Sequence, residues 1–87
     1  MKLRLVAVDP EHQRGHVFAV VRAYIGELLV FADRIRLSSA DARRAFAREL
    51  VGMRPELDAA AIEAELLRFF DRQLPAPMYI RHLCVLH

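Results

Sequence analysis

The side chains able to do chemistry in this chain are dominated by arginine. Arg22, Arg34 and Arg36 alternate with apolar positions in segments of strand character, Phe18 and Tyr24 lie beside them, and Lys2 and Arg4 open the chain in the same alternating way. Guanidinium groups hold phosphates in planar, bidentate geometry, and bases stack on aromatic rings. Arginines interleaved with aromatics on an open sheet therefore have the chemistry of a platform for single-stranded nucleic acid. A second basic group, Arg43, Arg44, Arg48 and Arg54, falls in a helical segment, where Arg44 and Arg48 are four apart and project from one side. Both groups also have a plainer reading. Arginine is a good helix former, so a basic helix side is commonly just solvated. Phe18, Val20, Leu28 and Val30 can equally form an apolar dimer contact rimmed by arginine.

Other chemistry has less behind it. His12 and His16 are four apart, and His82, Cys84 and His87 gather near the C-terminus. These are nitrogen and sulfur donors suited to zinc, but structural zinc sites use tighter, recurrent Cys/His spacing. The first pair also falls in a polar stretch where a spacing of four has no helical meaning, so no metal is expected. Cys84 lies in an apolar segment, where burial raises a thiol pKa and leaves it inert. Neither Ser38 nor Ser39 has a nucleophile motif around it, and Gly15, Gly26 and Gly52 are too scattered to cradle a phosphate. The carboxylates lie mostly on helix faces among arginines. The expectation is a protein that is not an enzyme and carries no cofactor.

Composition sets the frame for these residues. The chain has 87 residues, of which 55% are hydrophobic, and a formal net charge of +2 in which Lys2 is the only lysine. A domain this small buries only about 60% of its unfolded surface. The apolar surplus thus points to a partner or a second copy, because large exposed apolar patches mark interfaces. A single cysteine rules out an internal disulfide and suits a reducing compartment. The opening residues are too short and charge-interrupted for a secretory leader, and no apolar run approaches the roughly 20 residues of a membrane helix. A cytoplasmic protein with no membrane association is expected, folded as a single domain over residues 1–87.

The elements that must position these residues are legible in outline. Residues 3–8 alternate Leu3, Leu5 and Ala7 against Arg4, Val6 and Val8, and the strand is expected to stop at Asp9-Pro10. Residues 11–15 read as a loop. Residues 17–25 and 28–37 form a hairpin about Gly26-Glu27, with glycine first, as a type II′ turn prefers. In the third strand Leu29, Phe31 and Ile35 fall on the helix-covered side and Arg34 and Arg36 on the other, which puts Asp33 on the covered side as well. A strict two-residue loop aligns Phe18, Val20, Arg22 and Tyr24 with the core. A three-residue loop with a bulge aligns Val17, Ala19, Val21, Ala23 and Ile25 with it instead. One residue of slip exchanges the faces, and the two remain open.

Ser38 is expected to cap the first helix, with Asp41 three residues on and Ala42, Ala45, Phe46, Leu50 and Met53 as its apolar stripe. Gly52 and Pro55 end it. Asp58 caps a second helix whose stripe is Ile62, Leu66, Phe69, Phe70 and Leu74 and whose polar side carries Glu65, Arg68, Asp71 and Arg72. Pro75-Ala76-Pro77 terminates that helix. Residues 78–87 read as a last strand or a tail, pairing at a sheet edge or exchanged with a partner. The fold class is α+β, a two-layer sandwich in which an antiparallel sheet of three or four strands carries two helices on one face, in the order β-β-β-α-α and a final β.

The run from Gly26 through Ser39, continuing as Ala40-Asp41-Ala42-Arg43-Arg44-Ala45-Phe46-Ala47 and then Leu57-Asp58-Ala59-Ala60-Ala61-Ile62-Glu63-Ala64-Glu65-Leu66-Leu67, resembles a small accessory segment beside the ATPase or primase part of bacterial and phage-type primase–helicase proteins. The likeness spans about residues 16–74. It implies a non-catalytic adaptor in a replication or mobile-element setting and transfers no catalytic residue, because the chain carries no ATPase or primase motif. The functional expectation is an interaction module that forms a homodimer or docks on a larger protein through the sheet. The alternative is a DNA- or RNA-binding domain using Lys2, Arg4, Phe18, Arg22, Tyr24, Arg34 and Arg36 of the sheet with Arg44 and Arg48 of the helix.

Overall fold

A computed structural model describes residues 2–72 and the backbone of 78–84. The elements are β1 (Lys2–Gln13), β2 (His16–Ile25), β3 (Leu28–Arg36), α1 (Ala40–Met53), α2 (Ala59–Asp71) and β4 (Met78–Cys84). They form an antiparallel sheet in the order β3-β2-β1-β4. The chain winds through three strands as a meander, and the helices carry it to the far edge, where β4 pairs with β1. α1 packs on β3 and on α2, and α2 reaches β4. This is the expected α+β sandwich. No helix among the described residues is long and apolar enough to cross a membrane.

The first strand runs further than Asp9-Pro10, because the chain absorbs that pair as a bulge. The β1–β2 register slips between Val8 and Glu11, with Val8 opposite Val20 and Glu11 opposite Phe18. Asp9 takes a left-handed φ of 53° there. A bulge is where a strand tolerates a proline that cannot donate to the ladder. Residues 11–13 are then strand rather than loop, and the hairpin turns at Arg14-Gly15, whose φ values of 50° and 81° have the two-positive pattern of a type I′ turn.

A second bulge decides the face of β2. The β2–β3 loop is the strict two-residue form, with Ile25 opposite Leu28 and Gly26 at φ 62°. Tyr24 pairs with Leu29, but Ala23 pairs with Phe31, so Val30 is the extra residue. Past it, Val21 faces Asp33 and Ala19 faces Ile35. Without the bulge, Arg22 would share the core side with Phe31, and an unpaired buried guanidinium is far costlier than a local break in the ladder. The tight turn and the segregation of charge are thus both satisfied. Leu29 leaves the helix side, against expectation, and is 48% exposed on the opposite face.

The core lies between this sheet face and the helices. Leu3, Leu5, Ala7, Val17, Ala19, Val21, Ala23 and Ile35 from the strands meet Phe46, Ala47 and Leu50 of α1 and Ile62, Leu66 and Phe69 of α2. Small alanines and valines on β2 let the helices approach closely. The α1 stripe is rotated from the expected one: Ala47 is buried, whereas Ala45 and Met53 are exposed. The cap is Ser39, whose hydroxyl accepts from the Ala42 N–H at 3.2 Å. Ser38 instead accepts from the Val17 N–H at 3.2 Å and ties the helix entry to β2. Asp58 caps α2 as expected, accepting from Ala60 and Ala61. Glu65, expected on the polar side, is buried and paired with Arg68 at 2.8 Å. Leu74 and the prolines after it lie outside the described residues.

Candidate functional site

The sheet face turned away from the helices gathers the expected cations. Strand alternation from the core residues puts Lys2 and Arg4 of β1, Phe18, Arg22 and Tyr24 of β2, and Arg34 and Arg36 of β3 on that one face. The register arranges them in rows. Arg4 is opposite Tyr24, which is opposite Leu29; Val6 is opposite Arg22, then Ala32; Val8 is opposite Val20, then Arg34; Glu11 is opposite Phe18, then Arg36. Arg44 and Arg48 lie on α1, across the sheet, and do not join this surface. Arg44 is engaged there with Asp41 at 3.3 Å and Glu63 at 4.0 Å.

Two arginines lie over the rings. The Arg4 guanidinium carbon is 4.5 Å from the Tyr24 ring centroid, and that of Arg34 is 4.5 Å from the Phe18 centroid. Arg34 also reaches Glu11 at 3.0 Å, so one side chain spans from β3 over β2 to β1. Glu11 was expected in a loop, and only the Asp9-Pro10 bulge brings it onto this face. A proline inside an alternating run is the signal that points to such a bulge. The Arg4 Nε is buried without a hydrogen-bond partner among the described residues. Lys2, Arg22 and Arg36 are exposed, and none makes an ion pair among the described residues.

The aliphatic centre of the face is already covered, while Leu29 at its hairpin end is 48% exposed. Val6 and Val8, at its centre, are 5% and 8% exposed although no helix lies over them. Phe18 and Val20 are half-buried, while Leu28 and Val30 are not on this face: Leu28 is at the hairpin end, 65% exposed, and Val30 is the bulge residue packed against the core. The expected apolar dimer patch of Phe18, Val20, Leu28 and Val30 is therefore not assembled as one surface. Besides Leu29 and Ala32 on β3, the face offers to solvent guanidinium and ammonium charge around a covered aliphatic centre. Such a surface holds anions by hydrogen bond and charge, and planar groups by stacking on guanidinium or ring.

Among the described residues no group of three or more His, Cys, Asp and Glu is placed to hold a metal ion. The side chains of His82, Cys84 and His87 lie outside the described residues. Comparison with known proteins returns no family model, no curated protein and no solved structure that matches the chain.

Proposed function

We propose that the chain is a non-enzymatic binding module whose open sheet face receives single-stranded nucleic acid. One observation carries the reading. The aliphatic centre of the face, Val6 and Val8, is covered within the chain while Lys2, Arg22, Arg34 and Arg36 stay exposed around it. A surface built to pair with a second copy would leave the opposite pattern, an apolar centre open and a polar rim. Here the phosphates meet Lys2, Arg22 and Arg36, and the bases stack on the Arg4–Tyr24 and Arg34–Phe18 pairs. Each stacked base contributes roughly 1–3 kcal/mol. An accessory role beside a replication or mobile-element enzyme suits such a module and is part of the proposal.

Titration of labelled single- and double-stranded oligonucleotides at low and high salt tests it. Single strands are expected to bind, with log affinity falling against log salt at a slope of about −2 for three phosphate contacts. Absence of binding at low salt ends the reading.

An adaptor role is favoured separately by the hairpin end, where Leu28 on the helix side and Leu29 on the open face are 65% and 48% exposed. Sedimentation of the wild type against Leu28→Glu checks it. An association lost in the variant supports docking through the hairpin end, and a strict monomer in both removes self-association as its form.

A further inference from the structure

We propose that the outer edge of β3 and the groove beside it receive an extended segment of a partner protein as an added strand, one that turns a lysine or arginine toward α1. This goes beyond the open face and does not rest on the nucleic-acid reading. β3 ends the sheet order, so among the described residues its outer backbone groups meet no further strand. Such an edge is a template for main-chain pairing, and adding a strand to an edge is a recurrent mode of peptide recognition.

The groove supplies the specificity. It has a volume of about 210 Å³ and is lined by Asp33, Ile35, Ala42, Ala45, Phe46 and Glu49, with Arg34 and Arg36 at its strand side. That is smaller than the roughly 300–1,000 Å³ of small-molecule pockets. It has room for side chains that alternate off a strand, not for a ligand of its own. Ala42 and Ala45 keep the helix wall low, and the Phe46 ring, tilted against Phe31 at 5.1 Å, makes its base. An aliphatic stem packs on this wall while its charged end stays wet, as lysine and arginine side chains do.

Charge identifies the occupant. Asp33 and Glu49 both line the groove, and neither makes an ion pair among the described residues. Asp33 sits on the helix side of an edge strand, an inward charge that discourages apolar strands from adding. It also argues against pairing of β3 with another β3. The helix-side residues of β3 past the bulge are Phe31, Asp33 and Ile35, so no pairing of β3 with another β3 that keeps the helices on one side sets a cation opposite Asp33. A partner strand with a basic residue on its α1 side satisfies what self-pairing leaves unmet. Its alternate residues pass Arg34 and Arg36, where acidic or neutral polar side chains fit.

The test uses the full chain and synthetic peptides. A peptide alternating lysine and threonine is expected to bind, with new hydrogen-exchange protection along β3, and one alternating glutamate and threonine is not. Because the protein is net positive, non-specific attraction works against the expected winner. N-methylation of one alternate set of amides in the lysine peptide is expected to abolish binding and that of the other set to leave it. Asp33→Asn and Glu49→Gln, each checked for folding by circular dichroism, are expected to weaken binding about tenfold, the scale of one charge-assisted contact. Both variants retain oligonucleotide binding, which separates failure here from failure of the open face. Equal binding of the glutamate peptide, indifference to both N-methylation patterns, or a dimer formed through this edge overturns the proposal.

Discussion

The guanidinium of Arg34 is stacked 4.5 Å from the centroid of the Phe18 ring. Its far end is held by Glu11 at 3.0 Å, so a β3 cation covers a β2 ring and is tethered to β1. The tether is half-exposed at both ends, and such pairs contribute about 0–1 kcal/mol to stability. Its consequence is chemical: Glu11 neutralises one of the cations on the proposed binding face. Glu11→Gln is expected to leave the melting temperature nearly unchanged and to raise affinity for single strands severalfold. Its salt dependence should also steepen, by about 0.7 in slope for the phosphate contact that Arg34 becomes free to make. Paired melting curves and oligonucleotide titrations check this.

The cations on the two sides of the sheet should separate cleanly. Arg22→Ala and Arg36→Ala are each expected to flatten the salt slope by about 0.7 and weaken binding alike for all sequences. Arg48→Ala, on the helix side, is expected to do neither. If Arg48 matters as much as Arg22, the surface is the wrong one.

Two adjacent serines have different partners and should fail differently. Removing the Ser39 cap is expected to cost about 1 kcal/mol, lost from the first turn of α1. Ser38→Ala strips the acceptor from the Val17 N–H, and an unsatisfied part-buried donor costs about 1–3 kcal/mol. Denaturant midpoints rank the two, and hydrogen exchange places the first loss in α1 and the second at the start of β2.

The turn at Arg14-Gly15 holds an avoidable strain. Arg14 adopts φ 50°, a conformation that asparagine tolerates better than arginine. Arg14→Asn is expected to stabilise by about 0.5 kcal/mol, because Asn-Gly is the preferred type I′ pair. Gly15→Ala has open space around its added methyl yet must hold φ 81°, and is expected to destabilise by about 1 kcal/mol. Urea unfolding of the three proteins measures both signs.

Single deletions in β3 test the bulge. Removing Val30 leaves Ala23 opposite Phe31 and every face as it is, so only the packing of a half-buried valine is lost, about 1–2 kcal/mol. Removing Ala32 also closes the bulge with Arg34 and Arg36 still on the open face, but it turns Phe31 away from Phe46 and sets Val30 opposite Ala23 in its place, so a larger loss of about 2–4 kcal/mol is expected. Thermal melts by circular dichroism distinguish them.

The strand and helix content of this protein is written locally, and so it could be read in order. Period-2 alternation marks Leu3, Leu5 and Ala7 as one side of a strand, Asp58 announces a helix through its own side chain, and Gly26 marks a turn wherever it stands. Even the open face could be drawn up, because arginine at every second position resists burial. Which strand face joined it could not be. That depended on the Val30 bulge, whose cause lies not at Val30 but in the cost of putting Arg22 under the helices. Asp9-Pro10 reads locally as a stop that leaves Glu11 in a loop; closing the ladder around the proline makes it part of the face. Asp33 and Glu49 are far apart in sequence and unremarkable in either neighbourhood, and only the packing of α1 on β3 makes them walls of one groove. Local propensity sets which elements form. Register and helix placement follow from burial summed over the whole chain, and only the tertiary structure performs that sum.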